Sequence, residues 1–379
     1  TGIHLELTVL PSLRDVYEVI QSSGSGRYDL IRMDVAWMDE LAKKLFRPLR
    51  QIPFDWDRLL AQTLPEFGDS YTSVNGERIC VPYDPSTQLM FYRRDLFCDP
   101  TYKRMYFEAY RRELEVPKSF EDYNRIAGFF TRSLNPASPV QYGTTVAIGN
   151  VVVSPSEFLP RLFEQGGKLF NAKGQITVDT PEALAALKNY RETYACSDRT
   201  VHDIWKNVLE GFADGSAAMT VVFINYASHI LNSKMSSIAG KLGFAPVPGG
   251  KPLSGGGVVG ITRSCAHPET ACAFLSWLYS NQTAPAFTLL GGLSPCRSAY
   301  SNRDIKERYP WLSAARRSFP SAQRRSGSAY YSNFSELQME NILAAYVQRA
   351  VLGVCTPEEA LAQAQAEMDA HFTANSEFL

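Results

Sequence analysis

An α/β fold in two domains is the architecture this sequence predicts, and three observations predict it. The chain has 379 residues, long for a single hydrophobic core and suited to two domains of roughly 150 to 200 residues each. Its opening segments alternate strand-like and helix-like patterns, the order that builds a parallel sheet covered by helices. The third observation is Val81–Phe97, VPYDPSTQLMFYRRDLF. A polar turn fixed by Pro82 and Pro85 runs into Gln88–Tyr92, an apolar segment too short for a helix and bounded by Arg93, Arg94 and Asp95, which reads as a buried strand. A turn rich in contact groups feeding a rigid strand is what a ligand site beside a domain crossover requires.

Taken in order, Gly2–Leu10 alternates apolar and polar residues and predicts a strand. Ser12, with Asp15 three residues on, is a capping-box-like start for a helix through Gln21. Tyr28–Val35 predicts a second strand, and Ala36 onward a second helix. In parallel sheets, ligands sit beyond the carboxyl ends of the strands, which points to Ser12, Asp34 and Trp37. Pro48, Pro53 and Pro65 break residues 48–78 into short helices and loops. Ser119 caps a helix reaching about Thr131, and Val140–Ile148 predicts a strand. Helices follow over Ser156–Gln165, from Thr180 and Pro181 to about Tyr194, and over Asp203–Phe212. Ala217–Ile224 is a strand whose exit is Asn225 and Tyr226. Leu242–Gly250 is a strand with its turn, and Gly255, Gly256 and Gly257 precede the strand Val258–Ile261. Three side-chain-free residues in a row mean either positive φ or something approaching the backbone closely. Helices over Glu269–Ser280, Glu336–Val351 and from Thr356 close the chain, the last opened by a capping box with Glu359.

Composition narrows the function. Hydrophobic residues make up 45% and charged residues 20%, as in ordinary globular proteins. Lysine and arginine number 38 against 39 acidic residues, a net charge of -1, so neither nucleic acid nor an anionic membrane is expected as a partner. No apolar run reaches the roughly 20 residues of a membrane span, and residues 1–30 hold no basic segment followed by an apolar one. A targeting segment is therefore expected to have been removed or never to have existed. Seven scattered cysteines without a CxxC pair argue against zinc and suit a reducing cytoplasm. No metal or cofactor is expected. The five histidines are isolated, and no HExxH, GxSxG or phosphate-binding glycine loop is present.

The sequence of YDLIRMDVAW, VNGERICVPYDPSTQLMFYRRDLF, PKSFEDY, EQGGKLF, FADGSAAM, GFAPVPGGKPLSGGGVVGI and GGLSPCR resembles the family 1 extracellular solute-binding proteins, the carbohydrate-binding components of ABC importers. The resemblance covers nearly the whole chain. It implies a two-lobe, periplasmic-binding-protein-like α/β fold of the class II type, whose lobes close by hinge motion on a trapped ligand. Carried onto this chain, residues 1–90 and 255–302 form the N-terminal lobe and 91–254 and 303–379 the C-terminal lobe. The first crossing falls at Gln88–Tyr92 and the second beside it at Ser254–Gly260. Set against the resemblance, the family's usual first strand and helix are not found ahead of Thr1, so the expectation is either a first lobe that lacks a central element or a chain that is a fragment of a longer one. That beginning, with the cysteines, also resembles the sugar-sensing domain of cytoplasmic winged-helix regulators.

Neutral sugars require aromatic faces for their C–H surfaces and carboxylate, amide or guanidinium groups for their hydroxyls. Asp34 with Trp37, and Tyr83 with Asp84, supply such pairs. Their alternative roles are a helix cap, helix packing and a plain turn. Tyr142, Asn225 and Tyr226 are the candidates of the second lobe, with core packing as the alternative. Gly255–Gly257 would offer backbone N–H groups or form a tight hinge turn. Arg297 would fork onto two hydroxyls or stay solvated, and Arg316, Arg317, Arg324 and Arg325 would form a solvated face or a partner contact. The resulting expectation is a non-enzymatic protein that closes on a mono- or oligosaccharide. It would be extracytoplasmic and sensed by an ABC permease or, as the alternative, cytoplasmic and fused to a DNA-binding domain. A glycosidase using Asp34 and Asp84 is the remote alternative.

Overall fold

The structure is a computed structural model that describes residues 2–10, 13–23, 26, 28–149, 153–171, 173–201, 205–227, 236–326 and 335–374. The principal strands are β1 (Leu30–Asp34), β2 (Val81–Pro82), β3 (Ser86–Arg93), β4 (Tyr142–Thr144), β5 (Ala217–Phe223), β6 (Leu242–Ala245) and β7 (Gly257–Ile261). The principal helices are α1 (Leu13–Ser23), α2 (Pro100–Tyr110), α3 (Phe120–Phe129), α4 (Val153–Glu164), α5 (Pro181–Ala195), α6 (Trp205–Ala213), α7 (Pro268–Leu278), α8 (Thr283–Leu289), α9 (Arg297–Ser301), α10 (Trp311–Ser318), α11 (Glu336–Val351) and α12 (Pro357–Ala374).

These elements form two compact units. The first takes residues up to Ser86, Ser254–Pro320 and residues 335–336; the second takes Thr87–Leu253, 321–326 and Leu337 onward. The chain thus leaves the first unit after Ser86 and re-enters it at Ser254. It stays there through α9 and α10, whereas the sequence suggested a departure near Asn302. Burial explains the longer stay: Ile305, Trp311, Leu312 and Ala315 are core residues, and the Phe319 ring packs edge-on against Phe67 at 4.8 Å.

In the first unit the strand order is β1–β7–β2. Both pairings are antiparallel, with Asp34 opposite Gly257 and Pro82 opposite Val258. The parallel sheet expected from the strand and helix order is corrected here. A strand from late in the chain inserts between two early ones, so β1 and β2 run the same way on either side of it. The register places the carboxyl ends of β1 and β2 together, beside the glycine start of β7. The strand expected at Gly2–Leu10 is absent: these residues join no strand, and Leu5, Leu7 and Val9 are exposed. Alternation alone does not make a strand without a ladder partner and a core to cover. The core under the sheet joins Leu49, Ile52, Trp56, Val81, Val259, Ile261, Leu275 and Tyr279.

The second unit has the strand order β4–β5–β3–β6. β3 pairs antiparallel with β5 (Gln88 opposite Phe223) and with β6 (Met90 opposite Ala245), while β4 and β5 are parallel. β3 is buried along nearly its whole length, as a central strand covered on both faces must be. Met90, Phe97, Tyr123, Phe130 and Met219 lie in the core behind it. Ser119 caps α3 by accepting from the Asp122 N–H, Thr180 caps α5 from Ala183, and Thr356 and Glu359 close the capping box of α12 reciprocally. The residue 203 start of the helix that opens α6 lies outside the described residues.

Candidate functional site

The register of β1, β7 and β2 gathers most of the first unit's candidates at one end of its sheet. Along β1, period two buries Ile31 and Met33 and turns Arg32 and Asp34 to the more open face. The turn after β2 carries Tyr83 and Asp84 beside them. Arg32 grips Asp84 with two parallel hydrogen bonds, Nε to Oδ1 at 3.1 Å and Nη2 to Oδ2 at 2.9 Å. Both side chains remain about a quarter exposed, at 29% and 25%. Burial pushes the Asp84 carboxyl above its ordinary range, with Arg32 opposing. Burial pulls Arg32 down, but Asp84 and Asp34 more than offset it, leaving the guanidinium above its ordinary value. Burial, then the neighbouring Asp84, raises the Tyr83 phenol.

The glycine run is explained by this cluster. Gly256 has φ of +83°, and a Cβ there would lie 2.0 Å from the Asp84 carbonyl oxygen. A Cβ on Gly257 would lie 2.3 Å from Arg32 Nε. The Gly257 carbonyl accepts from the N–H groups of Tyr83 and Asp84, and that of Gly256 from Val35. Positive φ and close approach both occur, and what approaches is the chain itself. Gly255 offers its carbonyl to Tyr71 Oη at 2.7 Å.

Two candidates take the roles of ordinary structure in this unit. Asp34 caps the turn after β1, its Oδ1 accepting from Ala36 N at 3.0 Å. Trp37 is buried, its ring edge-on to Tyr17 at 5.3 Å. Tyr83 is half-buried against Phe287. Ser12 lies outside the described residues. Arg297 is not brought to this cluster: its Nε donates to the Thr63 carbonyl at 2.8 Å, and it lines a cavity of about 130 Å³ with Thr72, Asp69 and Arg78.

In the second unit, β5 separates the candidates. Tyr142 stands opposite Ala217 at the start of β5, while Asn225 and Tyr226 follow its end. Six residue steps of strand, roughly 20 Å, lie between them, too far for one monosaccharide. Gln88 lies opposite Phe223, so Asn225 and Tyr226 are at the end where the chain enters the unit and Tyr142 is at the other. Near the entry end, Trp205 packs edge-on to Phe223 at 5.5 Å. Arg325, expected on a solvated face, is buried and paired with Glu340; its guanidinium lies 6.0 Å from the Phe223 ring centre.

The residue that sequence reasoning missed is Arg32. Its signal was the period of β1, which places it on the same face as Asp34. Among the described residues, no group of three or more His, Cys, Asp or Glu side chains could hold a metal ion, and no helix is long and apolar enough to cross a membrane. The cysteines are free thiols, with Cys80, Cys196, Cys265, Cys272 and Cys296 buried.

Two α/β units, each assembled from discontinuous segments with candidate polar groups where the chain crosses, define a two-lobe binding protein. The family model for bacterial extracellular solute-binding proteins matches residues 1–285, and the chain belongs to that family. YcjN of Escherichia coli, named as an ABC transporter periplasmic-binding protein, is 30% identical over 118 residues, 31% of this chain and 25% of YcjN. The protein y4oP of Sinorhizobium fredii, named as an amino-acid ABC transporter periplasmic-binding protein, is 22% identical over 60% of this chain and 52% of its own length. The chain therefore spans about a quarter and about half of these two relatives. In fold it is similar to an ABC transporter solute-binding protein of Agrobacterium radiobacter K84 in complex with ribitol (TM-score 0.78, 20% identity, 94% of this chain and 88% of that one). It is also similar to maltose-bound MalE3 of T. maritima (TM-score 0.76, 24% identity, 94% and 88%).

Proposed function

We propose that this protein binds a neutral sugar or polyol as the solute-binding component of an ABC importer, outside the cytoplasm, with a membrane permease as its partner. The observation that carries the reading is the Arg32–Asp84 pair, about a quarter exposed, at the end of the β1–β7–β2 sheet, flanked by Asp34 and the Tyr83 ring. A hydroxyl both donates and accepts. The carboxylate keeps acceptor lone pairs beyond the two that Arg32 uses, and the guanidinium keeps further N–H donors. Side by side they match the neighbouring hydroxyls of a polyol, while Tyr83 offers a face to C–H groups. Two carboxylates against one guanidinium disfavour an acidic sugar. Asn225 and Tyr226 are the proposed contacts of the second unit, and the ribitol and maltose of the fold relatives have the neutral, hydroxyl-rich chemistry this cluster suits.

The same geometry supports binding over hydrolysis. Both Asp84 oxygens are engaged by Arg32 and Asp34 caps a turn, whereas a glycosidase needs one carboxyl free to protonate and one to attack. The relatives' names favour transport over a DNA-binding regulator. A thermal-shift panel of maltose, ribitol, mannitol and tagatose tests the reading. A ligand present at 100 times its Kd stabilises by about 2.7 kcal/mol, a shift of several degrees, and a panel that moves nothing counts against it.

A further inference from the structure

The cavity beside Arg297 shares no lining residue with the polyol cluster. It encloses about 130 Å³, and its lining includes the polar Arg297, Arg78, Asp69 and Thr72 and the apolar Leu64 and Phe67. At roughly 30 Å³ of liquid volume per water it has room for about four waters. Drug-sized ligands begin to fit at roughly 300 Å³, so a molecule suited to this cavity has only a few non-hydrogen atoms.

The charged groups on its wall are held in place without neutralising one another. The Arg297 main-chain N–H donates to the Gln62 carbonyl at 2.9 Å, and its Nε donates to the Thr63 carbonyl at 2.8 Å. Both terminal amino groups of Arg297 are left without a partner among the described residues. Arg78 gives Nη1 to Asp57 at 2.6 Å, with side chains 49% and 85% exposed, a pair of little strength. Asp69 accepts at Oδ1 from the Ser73 hydroxyl at 3.4 Å and forms an ion pair with neither arginine among the described residues.

One small space is therefore bordered by guanidinium donors and by a carboxylate acceptor that do not meet. Leu64 and Phe67, each 1% exposed, lower the local dielectric and strengthen any ion pair formed against them. A dianion such as phosphate meets the Asp69 carboxylate, and a simple cation meets two guanidinium groups. A molecule carrying both charges satisfies both. Its carboxylate takes the two terminal amino groups of Arg297, the strong geometry for such a pair, and its ammonium group donates to Asp69.

We propose that this cavity is a second binding site for a small zwitterionic α-amino acid of the size of glycine or alanine, with Arg297 and Arg78 on the carboxylate and Asp69 on the ammonium group. All of its residues belong to the first unit, and the proposal stands whichever solute the polyol cluster binds.

The test is a saturation-transfer NMR titration of the full chain with alanine, acetate and ethylamine, whose methyl groups report contact. Concentrations reach about 50 mM, which saturates a site of millimolar Kd. Alanine is expected to bind at least tenfold more tightly than acetate or ethylamine. Asp69→Asn should weaken alanine at least fivefold without weakening acetate, and Arg78→Gln and Arg297→Gln should weaken both. Asp84→Ala, in the polyol cluster, should leave alanine affinity within twofold of the wild type. No alanine contact, or acetate binding as tightly as alanine, would overturn the proposal. Loss of alanine in Asp84→Ala would place the amino acid in the polyol cluster and overturn it as well. If Arg297→Gln does not fold without its tie to Thr63, the exposed Asp69→Asn and Arg78→Gln decide. Maltose and ribitol titrations run in parallel read the polyol cluster alone; their failure counts against the sugar reading and leaves the alanine result to judge this cavity.

Discussion

At Asp84 two demands meet: the carboxylate must be partly buried to hold its place, and it must be ionised to pair with Arg32. Burial raises its carboxyl above the ordinary range, which fixes the sign of two effects. The folded chain holds the Asp84 proton more tightly than the unfolded chain, so this residue's contribution to stability falls as pH rises from the ordinary carboxylate value through the raised one. Asp84→Asn is expected to flatten that part of the stability profile, as read by urea midpoints from about pH 3 to about pH 7. Ligand affinity runs the other way, because acidification neutralises the carboxylate that orients Arg32. Wild-type affinity should weaken on passing from about pH 7 to about pH 4. The glycines at residues 255–257 were legible as a place of close approach. Arg32 was not, because a charged residue in a short strand gives no sign of its partner 52 positions later.

At the element scale, the clearest test is the first turn of β7. Gly257→Ala would place a methyl 2.3 Å from Arg32 Nε and force the guanidinium off Asp84; it should weaken ligand binding at least tenfold while leaving the second unit's amide exchange unchanged. Thr180→Ala removes the cap of α5 and should cost about 1 kcal/mol of stability with no change in affinity, by chemical denaturation and calorimetry. Caps of this kind were readable from sequence because a Ser or Thr side chain acts on a backbone two or three residues away. The helices α2 and α10 were not, even though Asp99 caps α2 ahead of Pro100: the mean hydropathy of both is low, and their burial depends on distant partners such as Phe129 for Tyr106. Gly2–Leu10 shows the converse error, since a period-two pattern is necessary for a half-buried strand but does not supply the neighbour.

For the whole molecule, order along the chain revealed two α/β units, but neither the stay of the chain in the first unit to Pro320 nor the sheet of that unit. β7 follows β2 by 175 positions, counting Gly257 from Pro82, and local pattern carries no record of such pairing. That pairing nevertheless creates the candidate site, because it is β7 that brings the ends of β1 and β2 together. The central claim is that Arg32 and Asp84, joined there, recognise a neutral polyol. Isothermal titration of the wild type, Arg32→Ala and Asp84→Ala with the tightest binder among maltose, ribitol, mannitol and tagatose tests it most directly. The account predicts measurable wild-type binding and at least a thirtyfold loss in both variants, each still folded by circular dichroism; no binding to any of the four, or wild-type affinity in the folded variants, would contradict it.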